Sequence, residues 1–581
     1  MSVKTRFPHR NFTDPILLEV LWNRLIGVVN EQAAALVRAS FSPVVSEAED
    51  LAAAVFDARG RMLAQAIRGT PGHINSTANC VKEFLKEIPI RDLTKGDVLI
   101  TNDPWKTSGH LNDITVVTPI FIDERVVAFF ATTCHTVDIG GKPMSAEAKD
   151  VYEEGLWLPV TRLYRGGKPN EDLFNIIRSN VRSPQEVLGD LHAQVAGNEV
   201  GGRELVKYMN EFGLDDLAPL ADEILSRSEL AVRDAIGRWP EGTYENEMTS
   251  DGFDEPITLR VQVTVADRGV VIDCDGTSPQ SSYGINVVLN YSFAYGIFAI
   301  KCMAAPDLPN NEGSFKPIQF RAPRGCILNA IHPVPVASRH TLGQLLPSVI
   351  FGALADVLPD QVMAEGYDAD WIIQPYGLDD QGRRITFHLV WTGGTGARPN
   401  KDGLSTLAFP ARSQSIPVEI VEDRSPLVFF RKELRQDSGG PGKFRGGCGQ
   451  TVQFRVQSRN PFFISPKCER TVYPAAGLHG GLPGSKGEFS LSMGRDAHPK
   501  KDLLLKPGEI VTLKLPGGGG YGNPWERDPD LVFKDTVNGL VSKQAALNDY
   551  GVVLINGPQG LALDHDETRK LRDRVNGRKV V

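Results

Sequence analysis

The chain has no C-x-x-C pair. Its seven cysteines, at 80, 134, 274, 302, 326, 448 and 468, are scattered and odd in number, which fits reduced thiols in a cytosolic protein better than a disulfide scaffold. It has no excess of basic charge either. Lys and Arg total 63 against 71 Asp and Glu, a net charge of −8, and no basic stripe carries interleaved aromatics, so no nucleic-acid partner is expected. Long apolar runs are absent too. The most apolar later stretch, LLPSVIFGALADVL, is short and interrupted by Pro347 and Asp356, so no membrane span is expected. The basic start, MSVKTRFPHR, has no apolar segment behind it and does not read as a secretory signal. Nothing matches G-x-x-x-x-G-K-[ST], and no tandem repeat is present, which leaves the chain without a P-loop of its own.

What is present is a length of 581 residues, too long for one hydrophobic core. The patterning predicts a mixed α+β, multidomain protein: an N-terminal α/β domain over 1–240, a mixed α+β domain over 241–415, a β-rich glycine-containing domain over 416–530 and a helical C-terminal arm over 531–581. Asp14-Pro15 caps an amphipathic helix over 14–40. A hairpin follows over 51–63, then a helix near 74–87 and strands at Val98–Thr101, Asp113–Phe121 and Val126–His135. The glycine clusters at 437–450, 477–487 and 516–524 read as tight turns between β-like segments.

Two segments stand out. Gly109-His110-Leu111-Asn112-Asp113 leads into one apolar strand, and Cys134-His135-Thr136-Val137-Asp138 ends the next, each containing H-x-x-D. With a three-residue loop at Asp123-Glu124-Arg125, Ile122 faces Val126 and Asp113 faces His135, on the same side of the sheet. A two-residue turn alone sets Asp113 against Cys134 and sends His135 to the other face. A shared metal site therefore demands an odd loop or a bulge. Its ligands are His110, Asp113 and His135, with Asp50 as a fourth, and Asp138 or Asp103 orients an imidazole. The donor set suits zinc best, with manganese or ferrous iron as alternatives. Cys134 points away from His135 and reads as a buried structural thiol.

The motifs SEAEDLAAAVFDARGRMLAQ (46–65), PGHINS (71–76), NDPWKTSGHLNDITVVTPIF (102–121), HTVDIGG (135–141), YEEGLWLPVTRLYRGG (152–167), DSGGPGKFRGG (437–447) and PGGGGYGNPWERDP (516–529) together resemble the hydantoinase B/oxoprolinase family. GLVSKQAALNDYGV (539–552) closes the match. The resemblance implies a B-type subunit of an ATP-dependent complex that opens cyclic amides such as hydantoins, 5-oxoproline or lactams. ATP is then bound by an A-type partner of actin/Hsp70-like fold, in a cytoplasmic hetero-oligomer such as A2B2, and the B-type chain carries a divalent metal on His110, Asp113, His135 and Asp50. Asp50 or Asp138 serves as proton acceptor in that scheme. The sequence departs from the family where Thr136 follows His135, and between DIGG (138–141) and YEEG (152–155), which is compressed. PVASRHTLGQ (334–343) resembles the ketone carboxylase branch, which makes an ATP-dependent, biotin-independent carboxylase the alternative activity. A non-catalytic scaffold for the ATPase is a third reading.

Overall fold

The structure is a computed structural model that describes residues 12, 14–557 and 560–578. It is a mixed α+β, multi-sheet architecture, as the patterning predicts. The first helix, α1 (Pro15–Ala39), starts where Asp14 accepts the Ile16 N–H and Pro15 occupies the first turn. Leu18, Leu21, Leu25, Val28, Val29 and Leu36 form its buried stripe. The stripe faces a seven-stranded sheet of order β2-β1-β5-β4-β3-β6-β7, built from β1 (Leu51–Asp57), β2 (Met62–Gln65), β3 (Val98–Thr101), β4 (Asp113–Ile122), β5 (Arg125–His135), β6 (Thr161–Arg165) and β7 (Lys168–Pro169). Gln32 of α1 donates to the Ala131 carbonyl at 3.2 Å and to Asn198 at 2.8 Å. That locks α1 and β5 to the long helix Pro184–Phe212.

The β4–β5 hairpin meets the register condition by a bulge. Its turn is two residues, Asp123-Glu124, with Ile122 opposite Arg125 and Phe121 opposite Val126. The register then shifts between Ile120 and Phe121, Ile120 pairs with Ala128, and Val127 is the extra residue. From there the ladder runs to Asp113 opposite His135. The predicted three-residue loop is thus replaced by a two-residue turn plus a bulge, with Asp123 in the left-handed region at φ 53 that Asp tolerates. Cys134 is buried and pairs with Ile114 and Leu51. Burial pushes its thiol well above the ordinary range, as a structural cysteine should show.

One hydrophobic core runs from Leu18 to Ala369, and a second, joined by Ala48, from Trp371 to Leu515. Met144 and Ala337 also pack with Ile372 and Val390, and the first core continues past residue 240. The cause is the packing of the helix Pro71–Glu87 against the helix Leu289–Ala304, where Asn75 donates to the Ala294 carbonyl at 2.9 Å. The C-terminal segment has its own small core of Val532, Val541, Ala546, Tyr550, Val552 and Leu554. It includes a hairpin, Leu554–Gly557 with Gly560–Leu563, beside its helices. No helix among the described residues is long and apolar enough to cross a membrane.

The glycine clusters meet the expectation only in part: Gly480 and Gly522 turn in the left-handed region, at φ 94 and 71. Gly517, Gly518, Gly519 and Gly520 have no left-handed φ. They lie backbone against backbone: a Cβ on Gly518 would sit 2.0 Å from the Thr395 carbonyl oxygen. Close approach, not turning, selects glycine there.

Candidate metal centre

His110 enters from the loop before β4, Asp113 is the first residue of that strand, and His135 is the last of β5. All three are buried, at 1%, 0% and 2% exposure. One ligand atom from each falls within 4.8 Å of the others, which makes a group able to hold a metal ion. His110 Nε2 lies 2.7 Å from Asp113 Oδ1, and His135 Nδ1 lies 3.1 Å from the same oxygen.

The chemistry of this donor set fits a cation. His110 Nδ1 lies 3.0 Å from the Ala337 carbonyl, which can only accept, so Nδ1 carries the proton. Burial, with the charge of Arg339, pushes His110 down to about 3, so the ring is neutral near pH 7. Its Nε2 lone pair then faces a carboxylate oxygen, and a cation between the two relieves that contact. The Nδ1 bond to a carbonyl is the usual way a ligating imidazole is oriented.

Asp113 is held well below the usual carboxylate range, against its burial, by the positive charge of His73 and Arg339. Its Oδ2 accepts from Ser108 at 2.6 Å, Arg339 at 2.5 Å and His73 at 2.9 Å. Arg339 also donates to the Ser108 carbonyl and stacks on Tyr291, 4.1 Å from the ring centroid. Gly109 makes that approach possible: a Cβ there would meet Arg339 Cδ at 2.7 Å, and its φ is +100.

Asp50 stands at the cavity edge, 9% exposed. Its carbonyl accepts the His135 N–H at 3.1 Å, and its Oδ1 lies 3.4 Å from His73 Nδ1. The tight group comprises His110, Asp113 and His135 among the described residues, so Asp50 reaches it through His73. His73 is raised: burial opposes its charge, but Asp113 and Asp50 outweigh that. Asp138 is elsewhere engaged, its carboxylate taken by Arg182 at 2.6 Å and the Gly140 N–H at 3.2 Å. Asp103 binds Lys106 at 3.1 Å. Neither carboxylate touches a histidine of the centre, so the orienting role falls instead to the Ala337 carbonyl.

Sequence reasoning missed His73, Arg339, His340 and His388. The first three lie inside the motifs PGHINS and PVASRHTLGQ, and His388 stands alone among apolar neighbours in FHLVW. A buried carboxylate among neutral imidazoles needs a fixed cation nearby, but no spacing in the sequence says which residue supplies it.

A family model described as Hydantoinase B/oxoprolinase matches residues 14–524. The B-type subunit of a putative D-/L-hydantoinase from Pseudomonas sp. strain NS671 is 30% identical over 96% of this chain and 98% of its own. The beta chain of the Pseudomonas jessenii caprolactamase is 29% identical over 94% of this chain and 97% of its own. Among solved structures, the ATP-dependent caprolactamase of Pseudomonas jessenii superposes with a TM-score of 0.87 at 26% identity, covering 97% of this chain and 100% of that one. Nucleotide-free acetone carboxylase shares the fold, with a TM-score of 0.89 at 19% identity over 98% of this chain and 84% of that one. The chain belongs to the hydantoinase B/oxoprolinase family.

Proposed function

We propose that the chain is the metal-bearing subunit of an ATP-dependent enzyme that hydrolyses a cyclic amide: a lactam, a hydantoin or 5-oxoproline. The observation that carries this reading is the buried group of His110, Asp113 and His135, in which the lone pair of a neutral imidazole faces a carboxylate. The names of the relatives, hydantoinase and caprolactamase, support the substrate class. Their designation as subunits supports a partner, and with no P-loop in this sequence ATP is assigned to that partner, an A-type ATPase in a hetero-oligomer.

Zinc is the metal best suited to the donors, with manganese or iron able to replace it. When bound, such a metal supplies a Lewis acid and activates water at neutral pH. The chain's own residues do the rest. Ala337 fixes the His110 tautomer, Arg339 holds Asp113, and Asp50 at the cavity edge is placed to take up a proton. Phosphorylation of the amide oxygen by the partner makes the ring carbon electrophilic enough for water to attack.

The test is co-expression with the A-type subunit of the same organism, followed by a screen of lactams, hydantoins and 5-oxoproline, and of ketones with and without bicarbonate. ATP turnover that depends on a cyclic amide, with ring-opened product, is the expected result. Turnover that requires a ketone and bicarbonate, with no response to any amide, would overturn it.

A further inference from the structure

The metal centre's cavity contains a hydrogen-bonding position that none of the described residues fills. His388 lies between two short strands, Arg384–Thr386 and Leu389–Trp391, and is 2% exposed. Its ring packs on that of His135, with centroids 4.2 Å apart. Gln374, also 2% exposed, sets its tautomer. The Gln374 amide N–H donates to the Val137 carbonyl at 3.2 Å, which turns Oε1 toward His388 Nδ1 at 3.3 Å. Nδ1 must therefore carry the proton and Nε2 the lone pair. That Nε2 is fully buried and has no partner among the described residues. Buried acceptors in native structures are nearly always satisfied, by protein or by water.

Three groups can satisfy an acceptor here: a metal, a substrate N–H or a water O–H. His388 is not part of the group whose ligand atoms lie within 4.8 Å of one another. The cavity it shares with Asp50, His73, His110 and His135 has a volume of about 30 Å³. That volume holds roughly two waters, so water is the partner that fits without rearrangement. On the same cavity, His340 is 2% exposed and both its ring nitrogens lack partners among the described residues. Two unsatisfied imidazoles on a polar, water-sized cavity define a water site.

We propose that His388 Nε2 accepts a hydrogen bond from the water that attacks the activated amide carbon, with His340 as the second contact of that water. The water's O–H points at Nε2, which leaves an oxygen lone pair free for the carbon. As the C–O bond forms, both water protons pass to the substrate's ring nitrogen, one by way of His388. The C–N bond breaks to leave the amine and an acyl phosphate, which a second water hydrolyses to carboxylate and phosphate. Gln374 is the positioning residue, since it fixes which nitrogen of His388 is free. This assignment rests on the hydrolytic reading above.

The experiment compares metal-loaded wild type with His388→Leu and His388→Gln, the last keeping an acceptor near the Nε2 position. Crystal structures give the water site, elemental analysis the metal, and steady-state kinetics of the complex with the A-type partner give kcat and KM. Wild type is expected to show a water within about 3.2 Å of Nε2. His388→Leu should lose that water, keep its metal and lose about 100-fold or more in kcat with KM little changed. His388→Gln should keep the water and recover part of the rate. A wild-type cavity without that water, a metal at about 2.0–2.2 Å from Nε2, or a His388→Leu enzyme of normal kcat would each overturn the proposal. Should His388→Leu fail to fold, the wild-type density and the His388→Gln rate still decide. A complex that opens no cyclic amide refutes the hydrolytic reading, while the density at Nε2 separately decides the water site.

Discussion

Replacing Glu154 by Gln isolates the group that holds the His110 orienting loop. Glu154 is 2% exposed and its Oε1 accepts the Val336 and Ala337 N–H groups at 2.5 and 2.7 Å. The Ala337 carbonyl in turn accepts from His110. Burial raises Glu154 from 4.5 to about 8; Asp150 adds to the rise, while the two N–H groups and Arg339 oppose it. The fold thus prefers the protonated acid. A raised acid contributes stability that is complete below its unfolded value near 4.5 and is lost as pH climbs through its folded value near 8. At about 1.4 kcal/mol per pH unit, the loss is roughly 3 kcal/mol at pH 7 and approaches 5 kcal/mol at pH 9. Gln keeps the accepting oxygen and cannot ionise. The thermal midpoint of the variant in EDTA should therefore gain on wild type by roughly 6 °C between pH 5 and pH 9, for a core of about 350 residues. Parallel pH curves for the two proteins would refute the reasoning.

Two other perturbations follow from the packing. Arg339→Met strands Asp113 as an uncompensated buried charge and should cost about 3–5 kcal/mol in metal-free protein. Metal at about 100 times its Kd should return up to about 2.7 kcal/mol; a loss below about 1 kcal/mol by thermal melts would contradict the role given to Arg339. Gly518→Ala pushes a methyl group to 2.0 Å from the Thr395 oxygen, so soluble yield should collapse. Wild-type yield and melting for that variant would show that the backbone layers can separate.

Much of the centre was legible because it is local. Strand alternation and the paired H-x-x-D segments place Asp113 against His135, and the register fails only in how it is achieved, by a bulge at Val127 and not a longer loop. The partners that complete the centre were not legible from spacing. Arg339 and His388 lie far along the chain from Asp113, and their approach depends on helix packing and on a second core that no short pattern encodes. Asp138 misled for a related reason. Its H-x-x-D spacing is the same as that of Asp113, but Arg182 reaches it first. The glycine clusters carry a similar lesson: a turn and a close-packed backbone both select glycine, and only the tertiary neighbours distinguish them.

If His110, Asp113 and His135 hold one divalent metal, as proposed, the purified chain should retain it. The most direct measurement is the metal content of the purified full-length chain after metal loading and dialysis, compared with that of the His110→Ala/His135→Ala double variant. About one divalent ion per chain is expected in wild type and almost none in a folded double variant. Equal, stoichiometric metal in both proteins would contradict the claim.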